Sequence, residues 1–175
     1  MFHRLHDVHR WAALFVPRET SARLVQQFEV EAKQHLAKFV EAEHMLLALA
    51  TDPENEAGRL LNESGLTHAR IDSALLEERR RSLAFVGVEA LEENQTEATE
   101  LDSRLSLGTS AKAAIKRGLY ASRDSRPHRP HLQGTDLLLG ILQAELGTVP
   151  RALAIAEFDS DALILRIRIP GRHRC

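Results

Sequence analysis

Cysteine, aromatic residues and long apolar runs are all scarce in this sequence. The single cysteine, Cys175, cannot form a disulfide bond within the chain, so we expect a reducing, cytoplasmic environment. No apolar run approaches the roughly 20 residues that a membrane-spanning helix needs. The first residues also lack the long apolar stretch of a signal peptide. We therefore expect no membrane partner.

Strong net charge and nucleotide-binding motifs are absent too. The formal net charge is −2, which gives no reason to expect nucleic acid as a partner. No stretch matches the phosphate-binding loop Gly-x-x-x-x-Gly-Lys-Ser/Thr. An ATP-driven motor is thus excluded within these 175 residues, and we predict no cofactor.

Three histidines near the start suggest a metal site as one interpretation. His3, His6 and His9 recur every three residues. In a helix this spacing moves the side chains round the axis, so a solvated basic tail is the better interpretation. We predict no metal site.

Apolar residues are plentiful, and one stretch of them occurs twice. Hydrophobic residues make up 43% of the chain, mostly Leu, Ala, Ile and Val, a composition that favours packed helices. Such internal repeats decide a fold. The first copy opens a helix and reads Glu41-Ala42-Glu43-His44-Met45-Leu46-Leu47-Ala48-Leu49-Ala50. A weaker copy follows about 92 residues later as Gln133-Gly134-Thr135-Asp136-Leu137-Leu138-Leu139-Gly140-Ile141-Leu142.

Helical periodicity gives each copy the same surroundings. The patterns predict helices over 20–36, 43–50, 56–63 and 68–78, and again over 110–123, 135–145, 150–157 and 160–168. We predict an all-α fold of about eight helices in two pseudosymmetric four-helix repeats. The predicted boundaries are an N-terminal extension (1–16), a first repeat (17–79), a linker (80–108), a second repeat (109–168) and a C-terminal tail (169–175).

The polar residues at the two helix starts have ordinary structural explanations. Glu43 lies in a first helical turn, where a carboxylate interacts favourably with the helix dipole. Thr135 is predicted to cap the second copy. The pair Glu43-His44 does not begin a zinc-protease motif, because Ala48 occupies the position of the second histidine.

These residues resemble the Clp repeats of the amino-terminal domain of the Clp ATPases, best the ClpC and ClpA type. Each family repeat reads approximately Gly-Thr-Glu-His-Leu-Leu-Leu-Gly-Leu. Residues 42–49 match it well, and Glu31-Ala32 matches the end of the preceding family helix. Residues 134–141 match with one residue missing before the leucines. The resemblance covers roughly residues 15–168.

The resemblance implies a binding domain with no catalysis of its own, which recruits adaptors and substrates to the unfoldase. In the ClpC branch the Thr-Glu-His stretch of each repeat forms a pocket for phosphorylated arginine. The resemblance implies that Glu43 contacts the guanidinium and that His44 belongs to the same pocket. Ala42 stands where the family has the threonine. The second repeat can be aligned with the family repeat in two ways. If its Gly-Thr is aligned with the family's Gly-Thr, Asp136 is the counterpart of Glu43. If the leucines are aligned, Thr135 is the counterpart of Glu43.

Three functions compete at this point. The first is a stand-alone, non-catalytic module without ATPase modules, which binds Clp components, adaptors, substrate peptides or a small hydrophobic ligand; the Met1 start favours a free-standing protein. The second is a self-associating scaffold, active as a homodimer. The third is a hydrolase that uses Glu43, His44 and His35, but Ser64 and Ser110 are better explained as turn or cap residues than as its nucleophile.

Overall fold

A computed structural model describes residues 18–87, 105–125 and 132–169. In these residues the chain forms eight α-helices and a two-stranded parallel sheet. The elements, in chain order, are α1 (Arg18–Gln34), β1 (Phe39–Val40), α2 (Ala42–Thr51), α3 (Glu56–Glu63), α4 (His68–Phe85), β2 (Ser106–Leu107), α5 (Thr109–Ser125), α6 (Gly134–Leu142), α7 (Thr148–Ile155) and α8 (Ser160–Arg168).

Helices α2 and α6 form the centre of the core. All residues of α2 from His44 to Ala50 are buried, and so are all residues of α6 from Asp136 to Leu142. A helix that is apolar all round has to be covered on every side. Accordingly, α2 contacts α6, and the two together contact each of the other six helices.

The two repeats are related by a constant interval in the sequence. Gly134 lies 92 residues after Ala42, and the starts of α7 and α8 lie 92 residues after those of α3 and α4. The turn before the last helix has the same backbone conformation in both repeats. Gly65 has a φ angle of 77°, and Glu157, 92 residues later, has a φ angle of 51°. The predicted all-α fold with eight helices in two repeats is confirmed.

Several helix ends differ from the predicted ones. Helix α1 ends at Gln34 because Leu36 adopts a left-handed conformation, with φ of 52°. Helix α4 continues to Phe85, into the stretch predicted as linker, and Glu77 supports it there through ion pairs with Arg80 and Arg81. The predicted cap role of Thr135 is wrong, because α6 begins one residue earlier and its N-cap is Gln133.

A short sheet joins the two repeats next to the start of α2. Strands β1 and β2 pair in parallel, and the Gly108 amide donates to the Val40 carbonyl at 2.8 Å. The Glu41 carboxylate accepts hydrogen bonds from the backbone amide and the hydroxyl of Ser110. Helical periodicity did not predict these strands, because each is only two residues long.

Within the described ranges, no helix has the length and the apolar content needed to cross a membrane. The predicted N-terminal extension with its histidines, most of the predicted linker and residues 170–175 lie outside those ranges.

Helices α5 and α6 approach each other closely through two glycines. A Cβ atom on Gly140 would lie 2.1 Å from the Ala114 carbonyl oxygen, and one on Gly118 would lie 2.6 Å from the Asp136 carbonyl oxygen. Because both obstacles are backbone atoms, no side-chain rotation can make room. Glycine at 118 and 140 therefore sets the distance between the two helices.

We expect Gly140→Ala to lower the free energy of unfolding by about 1–3 kcal/mol, because the added methyl group forces α5 away from α6. Urea denaturation followed by circular dichroism measures the change. Wild-type stability in this variant would show that the helices do not pack as closely as described.

Candidate functional site

The four residues singled out by the sequence lie in matching places at the starts of α2 and α6. Glu43 and Thr135 are the second residues of their helices, and His44 and Asp136 are the third. The structure thus decides the alignment left open by the sequence. The leucines align, so Thr135 is the counterpart of Glu43 and Asp136 is the counterpart of His44.

His44 and Asp136 are buried and bond to the backbone of their own helix starts. Their exposed fractions are 4% and 7%. The Glu41 amide donates to Nδ1 of His44 at 2.9 Å, and the Gln133 amide donates to Oδ2 of Asp136 at 2.9 Å. These bonds satisfy backbone donors that the helix itself leaves free. Both side chains therefore have a structural role, which the sequence did not reveal.

Glu43 differs from them, since its carboxylate is only partly buried and no cation among the described residues pairs with it. Burial raises its pKa most, and the nearby carboxylates of Glu41 and Glu78 raise it further. A backbone hydrogen bond at Glu43 and the charge of His35 lower the pKa, but they do not outweigh the causes that raise it. Glu78 already has a cation of its own, because Arg151 donates to it at 2.6 Å. Glu43 is thus a partly buried carboxylate near two other acids, with no ion-pair partner among the described residues.

A buried polar cluster lies beneath α2, between α1 and α4. Glu31 is 2% exposed, and its carboxylate accepts from Gln27 at 3.1 Å, from His68 at 3.2 Å and from Thr51 at 3.4 Å. One signal for this cluster is visible in the sequence. Glu31 lies three residues after Phe28 and therefore on the apolar face of α1, where an acid needs partners.

Two histidines of this region have pKa values shifted in opposite directions. Burial lowers the pKa of His44 to about 4, and the neighbouring His35 ring, 5.8 Å away, lowers it further. Burial also lowers the pKa of His35, but its hydrogen bonds outweigh that effect, so its pKa is raised. His35 donates to the Glu31 carbonyl at 2.8 Å and to the Asp72 carboxylate at 2.9 Å, and both bonds favour the charged ring.

Across the described parts of the chain, no group of three or more His, Cys, Asp or Glu side chains is placed to hold a metal ion. His3, His6 and His9 lie outside those parts, so their interpretation is still a prediction.

A cavity of about 810 Å³ lies in the second repeat, among α5, α6, α7 and α8. Arg117 of α5 lines it and donates from Nε to the Gly140 carbonyl at 2.7 Å. The side chains that give it an apolar wall are Ile141, Leu142, Val149, Leu153, Phe158 and Ile164. No motif in the sequence indicated this cavity.

A smaller cleft of about 390 Å³ lies between the two repeats. Ser64 and Arg70 of the first repeat line one side, and Phe158 and Arg166 of the second repeat line the other. The arginines hold the repeats together here, because Arg70 donates to the Ala156 carbonyl at 2.6 Å and Arg166 pairs with Glu63.

The low pKa of His44 predicts a loss of stability in acid. Between its usual value of 6.5 and its folded value of about 4, the unfolded chain binds a proton that the folded chain does not. The free energy of unfolding should therefore fall as the pH is lowered through this range, by about 3 kcal/mol from this residue. His44→Gln keeps an acceptor for the Glu41 amide and should show a correspondingly smaller fall between pH 7 and pH 4.

Urea denaturation at both pH values measures this difference. Equal pH dependence in wild type and His44→Gln would contradict the burial of a neutral His44.

Comparisons with known proteins identify the fold. No protein-family model matches the chain, and no curated protein matches it. Two solved structures that match were described as the N-terminal domain of the caseinolytic protease-associated chaperone ClpD from Arabidopsis thaliana and as part of preliminary structural investigations of a malarial protein secretion system.

The ClpD domain is 20% identical, with a TM-score of 0.61, and the match covers 91% of this chain and 96% of that domain. The malarial protein is 15% identical, with a TM-score of 0.60, and the match covers 89% of this chain and 92% of that protein. Both matches include nearly all of each chain, so the whole architecture is shared. The chain thus has the all-α fold of the Clp amino-terminal domain, as the family resemblance implied.

Proposed function

We propose that this chain is a non-catalytic module that binds proteins or peptides for Clp-dependent proteolysis, and that Glu43 contacts a cationic group of the partner. The fold supports the general role, since the ClpD domain that shares it belongs to a protease-associated chaperone. Adaptors, substrate peptides and Clp subunits are the proposed partners.

The partly buried carboxylate of Glu43, which has no ion-pair partner among the described residues, is the observation that carries the proposal. The carboxylate is partly buried beside Glu41 and Glu78, so its ionised form is disfavoured in the free protein. A guanidinium placed against it would relieve both the burial of the charge and the repulsion. An arginine or phosphoarginine side chain supplies such a group, in agreement with the role that the family resemblance gives to Glu43.

The second repeat does not offer the same chemistry. Thr135 occupies the place of Glu43, and the carboxylate of Asp136 is 7% exposed and accepts from the Gln133 amide. We therefore propose one cation-binding site per chain, in the first repeat.

The two competing functions have less support. For a hydrolase, both ring nitrogens of His35 are hydrogen-bonded and His44 is buried, while Ser64 bonds to the Leu60 carbonyl and Ser110 to Glu41. For a self-associating scaffold, the favourable observation is the exposure of Phe85, at the end of α4, and Leu146, between α6 and α7, which are 93% and 90% exposed. Light scattering during size-exclusion chromatography separates a monomeric module from a dimeric scaffold.

The cation site is tested with dye-labelled peptides that differ in one side chain, which is phosphoarginine, arginine or the uncharged citrulline. We expect the wild type to bind a guanidinium peptide at least tenfold more tightly than the citrulline peptide in fluorescence anisotropy, at low salt. Glu43→Gln should abolish that preference. Glu56→Gln changes an exposed acid in the first turn of α3 and should leave it intact.

Two results would refute the cation site: no preference in the wild type, or an unchanged preference in Glu43→Gln. Thr135→Glu provides a gain-of-function test, because a second carboxylate at the matching position should raise the stoichiometry from one peptide per chain towards two. Immobilised wild-type protein should also retain purified Clp subunits or adaptors, and Glu43→Lys should retain fewer of them.

A further inference from the structure

Two residues on the lining of the 810 Å³ cavity are smaller than the residues at the matching positions of the first repeat. In the first repeat the Asn62 amide spans the carbonyls of Ala50 and Gly58, at 3.1 and 2.8 Å, and the His68 ring reaches Glu31. The residues 92 positions later are Ala154 and Ser160, which are smaller, and both line the cavity. The two repeats therefore differ in side-chain size and in hydrogen bonding at these two positions.

Arg117 places a positive charge on the lining of this space, which also carries three carboxylates. Its Nε donates to the Gly140 carbonyl, and no carboxylate of the described residues pairs with its guanidinium. Partial burial accordingly lowers the pKa of Arg117. Because a partly buried cation is costly without a partner, an ion pair with this arginine should stabilise a bound anion more than an ion pair with an arginine in water.

The other residues on the lining favour a peptide over a lipid as the bound anion. One wall is apolar, with Leu153, Phe158 and Ile164, whereas Glu145, Asp159 and Asp161 lie elsewhere on the lining. A lipid tail has no groups that can satisfy these carboxylates. A peptide has both apolar side chains for the wall and backbone amides that donate to carboxylates. The cavity is open to solvent, so the remainder of a chain can leave it.

We propose that this cavity binds the carboxyl-terminal end of a partner polypeptide, with the terminal carboxylate on Arg117 and apolar side chains against Leu153 and Phe158. Its volume lies in the range of small-ligand sites, roughly 300–1,000 Å³. The site is separate from Glu43, because Glu43 lies in the first repeat and Ile141 and Leu142 border the cavity at the far end of α6 from Thr135.

The test compares a dye-labelled peptide, Gly-Ser-Gly-Ala-Leu-Leu, in two forms, with a free terminal carboxylate and with a terminal amide. We expect the acid to bind the wild type about tenfold more tightly than the amide in fluorescence anisotropy, as one charge-assisted pair at a partly buried arginine predicts. In Arg117→Gln the acid and the amide should bind equally. Arg123→Gln removes an exposed charge from the same helix outside the cavity and should preserve the difference.

A second variant keeps the test decisive if Arg117→Gln does not fold. Ala154 is exposed and lines the cavity, so Ala154→Trp should block both peptides without disturbing the core. Ala69→Trp places the same ring on an exposed position of α4 and should bind normally. Binding of both peptides to Ala154→Trp with wild-type affinity would overturn the proposal.

Three further outcomes would also overturn it. Equal binding of the acid and the amide to the wild type would show that the carboxylate is not recognised. A preserved difference in Arg117→Gln would assign recognition to another cation, such as Arg168 on the lining. Binding of decanoate, but of neither peptide, would show that the cavity takes an acyl chain. The Glu43 site is measured with different peptides and variants, so either proposal can fail without the other.

Discussion

The packing of α2 against α6 is the contact on which the remaining structure depends. Each helix is apolar on all sides, so neither can be stable at the surface, and each requires a cover of other helices. The amphipathic helices on the outside supply that cover with one apolar face each. The helices are closely spaced, so short aliphatic side chains fill the space between the helices. The chain therefore forms a continuous core although it has few aromatic residues.

Much of this architecture could be predicted from the sequence, because it follows from periodicity and repetition. The bounds of α3 and α8 agree with the predicted ones, and the interval of 92 residues identified the two repeats. The ends of α1 and α4 were less predictable, since they depend on the left-handed conformation of Leu36 and on ion pairs along an exposed face. Strands of two residues leave no periodic signal at all.

The candidate site could be predicted only in part. The motif identified the right helix starts, but His44 and Glu43 have different surroundings although they are adjacent in the sequence. His44 bonds to the backbone beneath the helix, and Glu43 faces other carboxylates. The cavity at Arg117 could not be foreseen, because its lining combines residues of α5, α6, α7 and α8 that are distant in the sequence and share no motif.

The pair of Glu78 and Arg151, which joins α4 to α7, restricts the order in which this protein can change during evolution. Glu78 is 5% exposed and also accepts from Ser82, whereas the side chain of Arg151 is 58% exposed. If Arg151 is replaced first, a buried carboxylate loses its cation and the chain is destabilised. If Glu78 is replaced first by an apolar residue, the arginine that is left can turn to water. A lineage that abandons this link is therefore expected to lose the acid before the base, so that descendants with Arg151 alone are more common than descendants with Glu78 alone.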